Sequence, residues 1–334
     1  MKSKLVILML VMGFVALTLT VDVDKAYTKD KPIQLNMVGS FPRKSVTSRA
    51  GSYFVDTVNR EGKGRVRINW KGAAEIIPTF DQPEALIKGV IDMGAMVTNY
   101  FAGVLPGCQV LELSRSYISD YGPGTKRYDY LVNMYAEKGI RYIGEYMGTP
   151  GTSCFYVYTS IQPKKLGDLA GKKFRVAPLT RQFIEALGAE PITMPGSEIY
   201  LALERGVTDG FIWPFFASFN EMGFPKVVKY AVHIPVYRGV IGMFMNLKSW
   251  NRLPKDVQEL LLKAQTRTQF WWEGYIDAVD KRQKKEAKAA GMKFIKFSKS
   301  ENKEYVQLSE DALWAYFKKI LSPERYNDYK QLLK

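Results

Sequence analysis

The pattern of apolar and polar residues divides the chain into short units. Ile33 to Val38 has strand spacing and runs into Gly39-Ser40-Phe41-Pro42. Val46 to Asn59 has helical spacing through Tyr53, Phe54 and Val58. Val66 to Trp70 alternates as a strand, Phe80 to Lys88 reads as a helix closed by Gly89, and Val90 to Val97 is a short apolar strand. A helix at Lys126 to Lys138 precedes strands at Arg141 to Tyr146 and Ser153 to Thr159. Strands at Phe174 to Val176, Ile192 to Met194 and Gly210 to Trp213 then alternate with helices at Arg181 to Leu187 and Glu198 to Arg205. This order predicts an α/β fold with a parallel sheet.

One element has a different scale. After a strand at Val240 to Asn246, Leu253-Pro254-Lys255-Asp256 opens a helix. Proline suits a first helical turn, and Asp256 suits the positive helix end. The helical period continues through Leu260, Ala264, Trp271, Tyr275 and Val279 and stops near Gly291. A helix over 254–290 would be roughly 54 Å long. That exceeds one small domain, so the helix is expected to span two. A strand at Met292 to Phe297 and helices at about 301–319 and 323–333 finish the chain.

The 334 residues, 46% of them hydrophobic, suffice for two domains with cores and exclude disorder, collagen and coiled coil. Lys2 and Lys4 precede an apolar run from Leu5 to Leu19, which reads as a secretory signal over 1–26. That run falls short of a membrane span of about 20 residues. Export places Cys108 and Cys154 in an oxidising space, where they form either one disulfide or two buried thiols.

The net charge of +15, to which Lys2 and Lys4 contribute, raises nucleic acid as a partner. The distribution argues against it. Basic residues are dispersed, the densest run, Lys281 to Lys303, is diluted by Glu286 and Glu301, and no zinc-finger or RNA-binding aromatic motif accompanies it. A positive field still favours anionic ligands. Dinucleotide loops, phosphate loops and nucleophile elbows are absent. His233 stands alone beside Ile234 and Pro235 and reads as a structural imidazole. No catalytic residue, metal or cofactor is expected.

An exported two-domain chain without catalytic equipment suggests a binding protein, and Gly171 to Gly210 makes that specific. The segment reads GKKFRVAPLTRQFIEALGAEPITMPGSEIYLALERGVTDG. It resembles the solute-binding proteins of tripartite ATP-independent periplasmic (TRAP) transporters, the DctP-like family. Arg175-Val176, Leu187-Gly188-Ala189 with Pro191, Glu198-Ile199-Tyr200, Ala202-Leu203, Gly206 and Asp209-Gly210 carry the resemblance. GVIDMG at Gly89 to Gly94 and NLKSWNRLPKDVQEL at Asn246 to Leu260 support it. The likeness covers about residues 33–320.

The resemblance implies a two-lobed periplasmic binding protein fold, α/β, with central sheets flanked by helices and a long domain-spanning helix. It implies one lobe at about 27–152 and 241–280, the other at about 153–240 and 281–334. The expected ligand is a small organic acid, the expected partner a TRAP membrane permease, and the expected place the periplasm, with the protein a monomer. Arg175 matches the family arginine that pairs with a ligand carboxylate, as a guanidinium fork suits that planar anion. Where sialic-acid and dicarboxylate relatives carry a Gln-Glu-Asn run, this chain has Phe211, Ile212 and Trp213. Trp213 resembles the 2-oxo-acid branch. In part of that branch a metal bridges ligand and protein through a glutamine and a glutamate. Val176 and Val236-Tyr237-Arg238 offer neither, so Arg238 is expected to give a second positive contact instead.

Phe155, Tyr158, Trp213, Phe215 and Phe216 suggest apolar or aromatic ligand contacts, with Tyr100 and Phe41 facing them from the first domain. Arg43 and Arg115 are further charge candidates. These residues point to a monocarboxylate with an apolar or aromatic tail, 2-oxo and 2-hydroxy acids among the candidates. Two other functions stay open on the sequence: an enzyme acting on organic acids in the cleft, and a receptor serving a sensor.

Overall fold

The strands fall into two sheets, and the chain passes between them repeatedly. The computed structural model describes residues 31–114, 118–146, 154–214 and 218–333, so the leader at 1–26 lies outside the described residues. Strands β1 (Ile33–Gly39), β2 (Val66–Gly72), β3 (Met93–Val97) and β4 (Ile140–Tyr146) belong to the first sheet. Strands β5 (Phe155–Thr159), β6 (Lys173–Val176), β7 (Glu190–Thr193), β8 (Gly210–Pro214) and β9 (Tyr230–Val232) belong to the second. The chain then returns as β10 (Ile241–Asn246) to the first sheet and leaves again as β11 (Lys293–Ile295) for the second. The spatial orders are β2-β1-β3-β10-β4 and β11-β9-β5-β8-β6-β7.

Neither sheet is purely parallel, which corrects the expectation from sequence. β10 runs antiparallel to both β3 and β4, and β5 runs antiparallel to β8 and β9. Both reversed strands follow a passage from one sheet to the other. The alternation of strands and helices cannot reveal such a reversal, because it reports element type and not direction. β9 escapes a reading by periodicity, since three residues show no usable period.

The long helix is Lys255–Ala289, 35 residues. Its first half presents Val257, Leu261 and Ala264 to the first core, beside Leu35, Val58 and Met245. Its middle turns Trp272, Ile276 and Val279 toward Val46, Ala50 and Tyr146. Its last turns reach the second lobe, where Ala287 packs in one cluster with Tyr156, Tyr158 and Phe211. Each fully buried large apolar side chain stabilises the fold by about 1.5–3 kcal/mol. One helix therefore draws on two cores and holds both lobes to a common strut.

Two C-terminal helices tie the lobes a second time. Ser298 and Glu301 form a capping box that starts helix Lys299–Ile320. The last helix, Pro323–Leu332, sets Tyr329 edge-to-face against Phe317 and Lys330 over Trp314. Its other side reaches helix Lys126–Ala136 and the residue after it, through Tyr329 to Met134 and Arg325 to Glu137.

Gly107 adopts a φ of +87°, and a Cβ there would lie 2.8 Å from the Tyr329 hydroxyl. Gly107→Ala is expected to cost about 1–3 kcal/mol of stability. The measurement is a urea midpoint, which should fall at unchanged slope. An unmoved midpoint would mean that the last helix does not dock against this turn.

Candidate functional site

A pocket of about 680 Å³, counting its mouth, lies where the chain crosses between lobes. Its walls come from both lobes, from the returning strand and from the long helix. Phe41, Thr47, Val97, Asn99, Tyr100 and Tyr146 line it from the first lobe. Phe155, Arg175, Ala177, Trp213 and Pro214 line it from the second. Gly239, Val240 and Ile241, on the returning strand, and Trp272 and Ile276, on the long helix, complete it.

Arg175 is the charge in this wall. It sits on β6, whose register places it beside Ile192 of β7 and Phe211 of β8. Its side chain is 1% exposed. Nε and Nη2 donate to the Met194 carbonyl at 2.9 and 2.7 Å, and Nη1 donates to the Ile212 carbonyl at 3.4 Å. The Tyr100 hydroxyl acts on its charge from the other lobe. The Trp213 ring lies 5.7 Å away, a cation–π contact. Among the described residues no carboxylate forms an ion pair with it; exposed Glu198 acts on it only at longer range. Burial pulls the guanidinium pKa down, Tyr100 and Glu198 oppose this, and an arginine keeps its charge regardless.

The lobes touch across the mouth. Phe41 meets the Trp213 ring edge-on with centroids 6.0 Å apart. Gly196 lets the chain pass against the same ring, since a Cβ there would lie 2.8 Å from it. Glu221 of the second lobe accepts the Val46 backbone N–H at 3.0 Å.

Three lining residues hold buried polar atoms with no partner: Asn99 Oδ1, Tyr146 Oη and Trp213 Nε1. Behind Asn99 lies Glu112, which accepts from Thr98 Oγ1 at 2.7 Å and from Asn99 Nδ2 at 3.2 Å. Burial pushes the Glu112 carboxyl up to about 8. Glu145 on β4 is buried with both carboxyl oxygens unpartnered, and burial, reinforced by Glu112, pushes it well above the usual range.

The structure thus brings Phe41, Tyr100, Phe155, Arg175 and Trp213 to one pocket. It places Tyr158 and Arg238 elsewhere. Tyr158 stacks on Phe211 at 5.1 Å inside the second core. Arg238 is buried with Nη1 donating to the Ser114 carbonyl at 3.4 Å, and it is not in the pocket wall. Phe215, Phe216 and Arg115 lie outside the described residues. Arg43 is exposed and pairs with Asp56 at 2.6 Å. His233 stacks on Tyr156 away from the pocket, and burial, with Lys284 beside it, holds its pKa down at about 4. Cys108 and Cys154 are both buried free thiols. Trp272 and Ile276 escape a sequence reading, because their helical spacing reads as core. Asn99 could have been inferred from its place beside Tyr100 at the exit of β3.

Two α/β lobes, crossed by a long helix and closing on a buried unpaired cation, define a two-lobed solute-binding protein. The chain belongs to bacterial extracellular solute-binding protein family 7, the DctP family of TRAP-transporter receptors, whose model matches residues 37–320. It is 24% identical over 275 residues to a monocarboxylate 2-oxoacid-binding periplasmic protein of Nostoc sp., covering 80% of this chain and 74% of that protein. A TRAP periplasmic solute-binding protein of Desulfovibrio salexigens, solved with orotic acid, superposes with a TM-score of 0.80 at 16% identity. That match covers 90% of this chain and 97% of the other. A Bordetella pertussis solute receptor binding pyroglutamic acid gives 0.78 at 18% identity, covering 90% and 98%. At these identities the two structures establish the fold. Among the described residues no helix is long and apolar enough to cross a membrane.

Glu112 and Glu145 both have folded-state pKa values above their unfolded ones. Between the ordinary carboxyl value and the raised one, the folded state holds protons that the unfolded state has lost. Stability is therefore expected to fall as pH rises from about 4.5 toward 8, by at most about 1.4 kcal/mol per pH unit per group. Urea denaturation at several pH values would read this slope, and Glu112→Gln should flatten it. A slope unchanged by that substitution would place the Glu112 proton elsewhere.

Proposed function

We propose that this protein is the periplasmic receptor for a small organic monocarboxylate with an apolar or aromatic tail, delivered to a TRAP membrane permease. One observation carries the reading: a buried guanidinium lines the pocket, its hydrogen bonds go to backbone carbonyls, and among the described residues no carboxylate pairs with it. A ligand carboxylate would supply the missing counter-charge in a low-dielectric wall, where the pair is strengthened once desolvation is met. Phe41, Phe155, Ile276 and the ring faces of Trp213 and Trp272 suit an apolar remainder better than a second carboxylate or a ring of hydroxyls. Unmatched polar groups of that kind would lose about 1–3 kcal/mol each. The Nostoc relative is named for monocarboxylate 2-oxo acids, and orotic and pyroglutamic acids are likewise single carboxylates on small frames.

The protein's role is binding and closure, without chemistry on the ligand. A ligand held by Arg175 on one lobe and by Tyr100 and Phe41 on the other favours the closed state by its differential affinity. The leader over 1–26 would send the chain to the periplasm, where the permease reads the closed surface.

Calorimetry against a panel of organic acids tests the proposal. Branched or aromatic monocarboxylates should bind, and sialic acid and C4-dicarboxylates should not; the reverse pattern would sink the reading. Arg175→Ala should weaken binding by at least about 30-fold while the protein stays folded by circular dichroism. Unchanged affinity in that variant would remove Arg175 from the site.

A further inference from the structure

The polar atoms left over in the pocket are not evenly split between donors and acceptors. Arg175 offers only donors, and the unpartnered Trp213 Nε1 is donor-only as well. The Tyr146 hydroxyl serves either way. Asn99 Oδ1 can only accept, and it is buried without a partner on a residue 1% exposed.

The Asn99 amide is held in this orientation from behind. Its Nδ2 lies 3.2 and 3.5 Å from the two Glu112 oxygens, so Oδ1 is the atom left for the pocket. A rotated amide would set Oδ1 against the Glu112 carboxyl. A proton on Glu112 does not change this, because Thr98 Oγ1 at 2.7 Å is its nearer acceptor and can pass its own hydrogen to the Val240 carbonyl at 3.3 Å.

We infer that Asn99 Oδ1 is a specificity determinant that selects ligands carrying an O–H or N–H donor near the carboxylate, and so 2-hydroxy acids over 2-oxo acids. The inference rests on the monocarboxylate reading and sharpens it. A 2-hydroxy acid gives its carboxylate to Arg175 and Trp213 Nε1 and its hydroxyl hydrogen to Asn99. A 2-oxo acid turns a second acceptor toward Oδ1 and leaves it unpaired. Burying an acceptor unpaired is costly, and a site built around a ligand hydroxyl discriminates against the analogue lacking it. The Nostoc relative's 2-oxo acids are then not the preferred ligands of this chain.

The test is calorimetry at pH 7 with matched pairs: lactate against pyruvate, mandelate against phenylglyoxylate, and 2-hydroxy-4-methylpentanoate against 4-methyl-2-oxopentanoate, with both enantiomers of each hydroxy acid. In the wild-type protein one enantiomer of the hydroxy acid should bind about tenfold or more tightly than its oxo partner. In Asn99→Leu that ratio should fall to within about threefold. Equal or tighter binding of the oxo acids by the wild type overturns the inference while leaving the monocarboxylate reading intact, and needs no variant. A hydroxy preference that survives in a folded Asn99→Leu overturns the assignment to Asn99. Binding of neither class overturns the monocarboxylate reading and the inference with it.

Discussion

Arg175 keeps a positive charge where water hardly reaches it. Burying an ion costs several kcal/mol unless other groups replace its hydration. Here the Met194 and Ile212 carbonyls, the Tyr100 hydroxyl and the Trp213 face do so in part. Those groups are dipoles and a quadrupole, and none neutralises the charge. The cost is therefore only partly offset in the ligand-free protein. Such a site gains most from an anion, and its need constrains everything packed around it. β6, β7 and β8 must hold their register so that the two carbonyls face the guanidinium, and Gly196 must stay small for Trp213 to lie against it.

On the proposed reading, the same cation would make closure and binding one event. Its partners are divided between lobes: the carbonyls and Trp213 are its own, while Tyr100 comes from across the cleft. Opening the lobes would part Tyr100 from Arg175, Phe41 from Trp213, and Glu221 from Val46. These are a few modest contacts, so the two states can lie within a few kcal/mol of each other and a ligand bridging them can decide between them. The strut formed by Lys255–Ala289 keeps the lobes facing one another, and its Trp272 and Ile276 serve as pocket floor at the point where it crosses.

Much of this was legible in the sequence because local pattern and site share the same segments. The Gly171 to Gly210 motif contains the β6 strand, so recognising it fixed Arg175. Of the departure at Phe211 to Trp213, the structure brings Trp213 into the pocket wall, while Phe211 packs in the second core. Tyr158 misled because β5 is buried along its whole length, so alternation gave no inward face. It pairs with Phe211, three residues along from Phe155 and thus about 10 Å from the cleft end of the sheet. Arg238 misled because its charge suited an anion, whereas its backbone pairs with Cys154 and its side chain turns to Ser114. Trp272 and Ile276 are one helical turn apart, a spacing that core and pocket floor share.

The buried glutamates bear on the same electrostatics. Glu112 stands one side chain behind the pocket, and Glu145 interacts with Glu112. If both were ionised, their field would oppose that of Arg175 and weaken its pull on an anion. Burial opposes this, for it raises Glu112 to about 8, leaving it largely neutral at pH 7, and pushes Glu145 well above the usual carboxylate range. Neutral, Glu112 still accepts the Asn99 amide hydrogen and so still orients Oδ1. Hydrophobic packing in the first lobe thereby acts at a distance on the pocket: it suppresses negative charge in the neighbourhood of the cation while retaining the hydrogen-bond geometry that Glu112 provides. On the proposed reading, the overall positive charge of the chain would steer anions toward the protein, and this local suppression of negative charge would keep the pocket positive once a ligand has arrived.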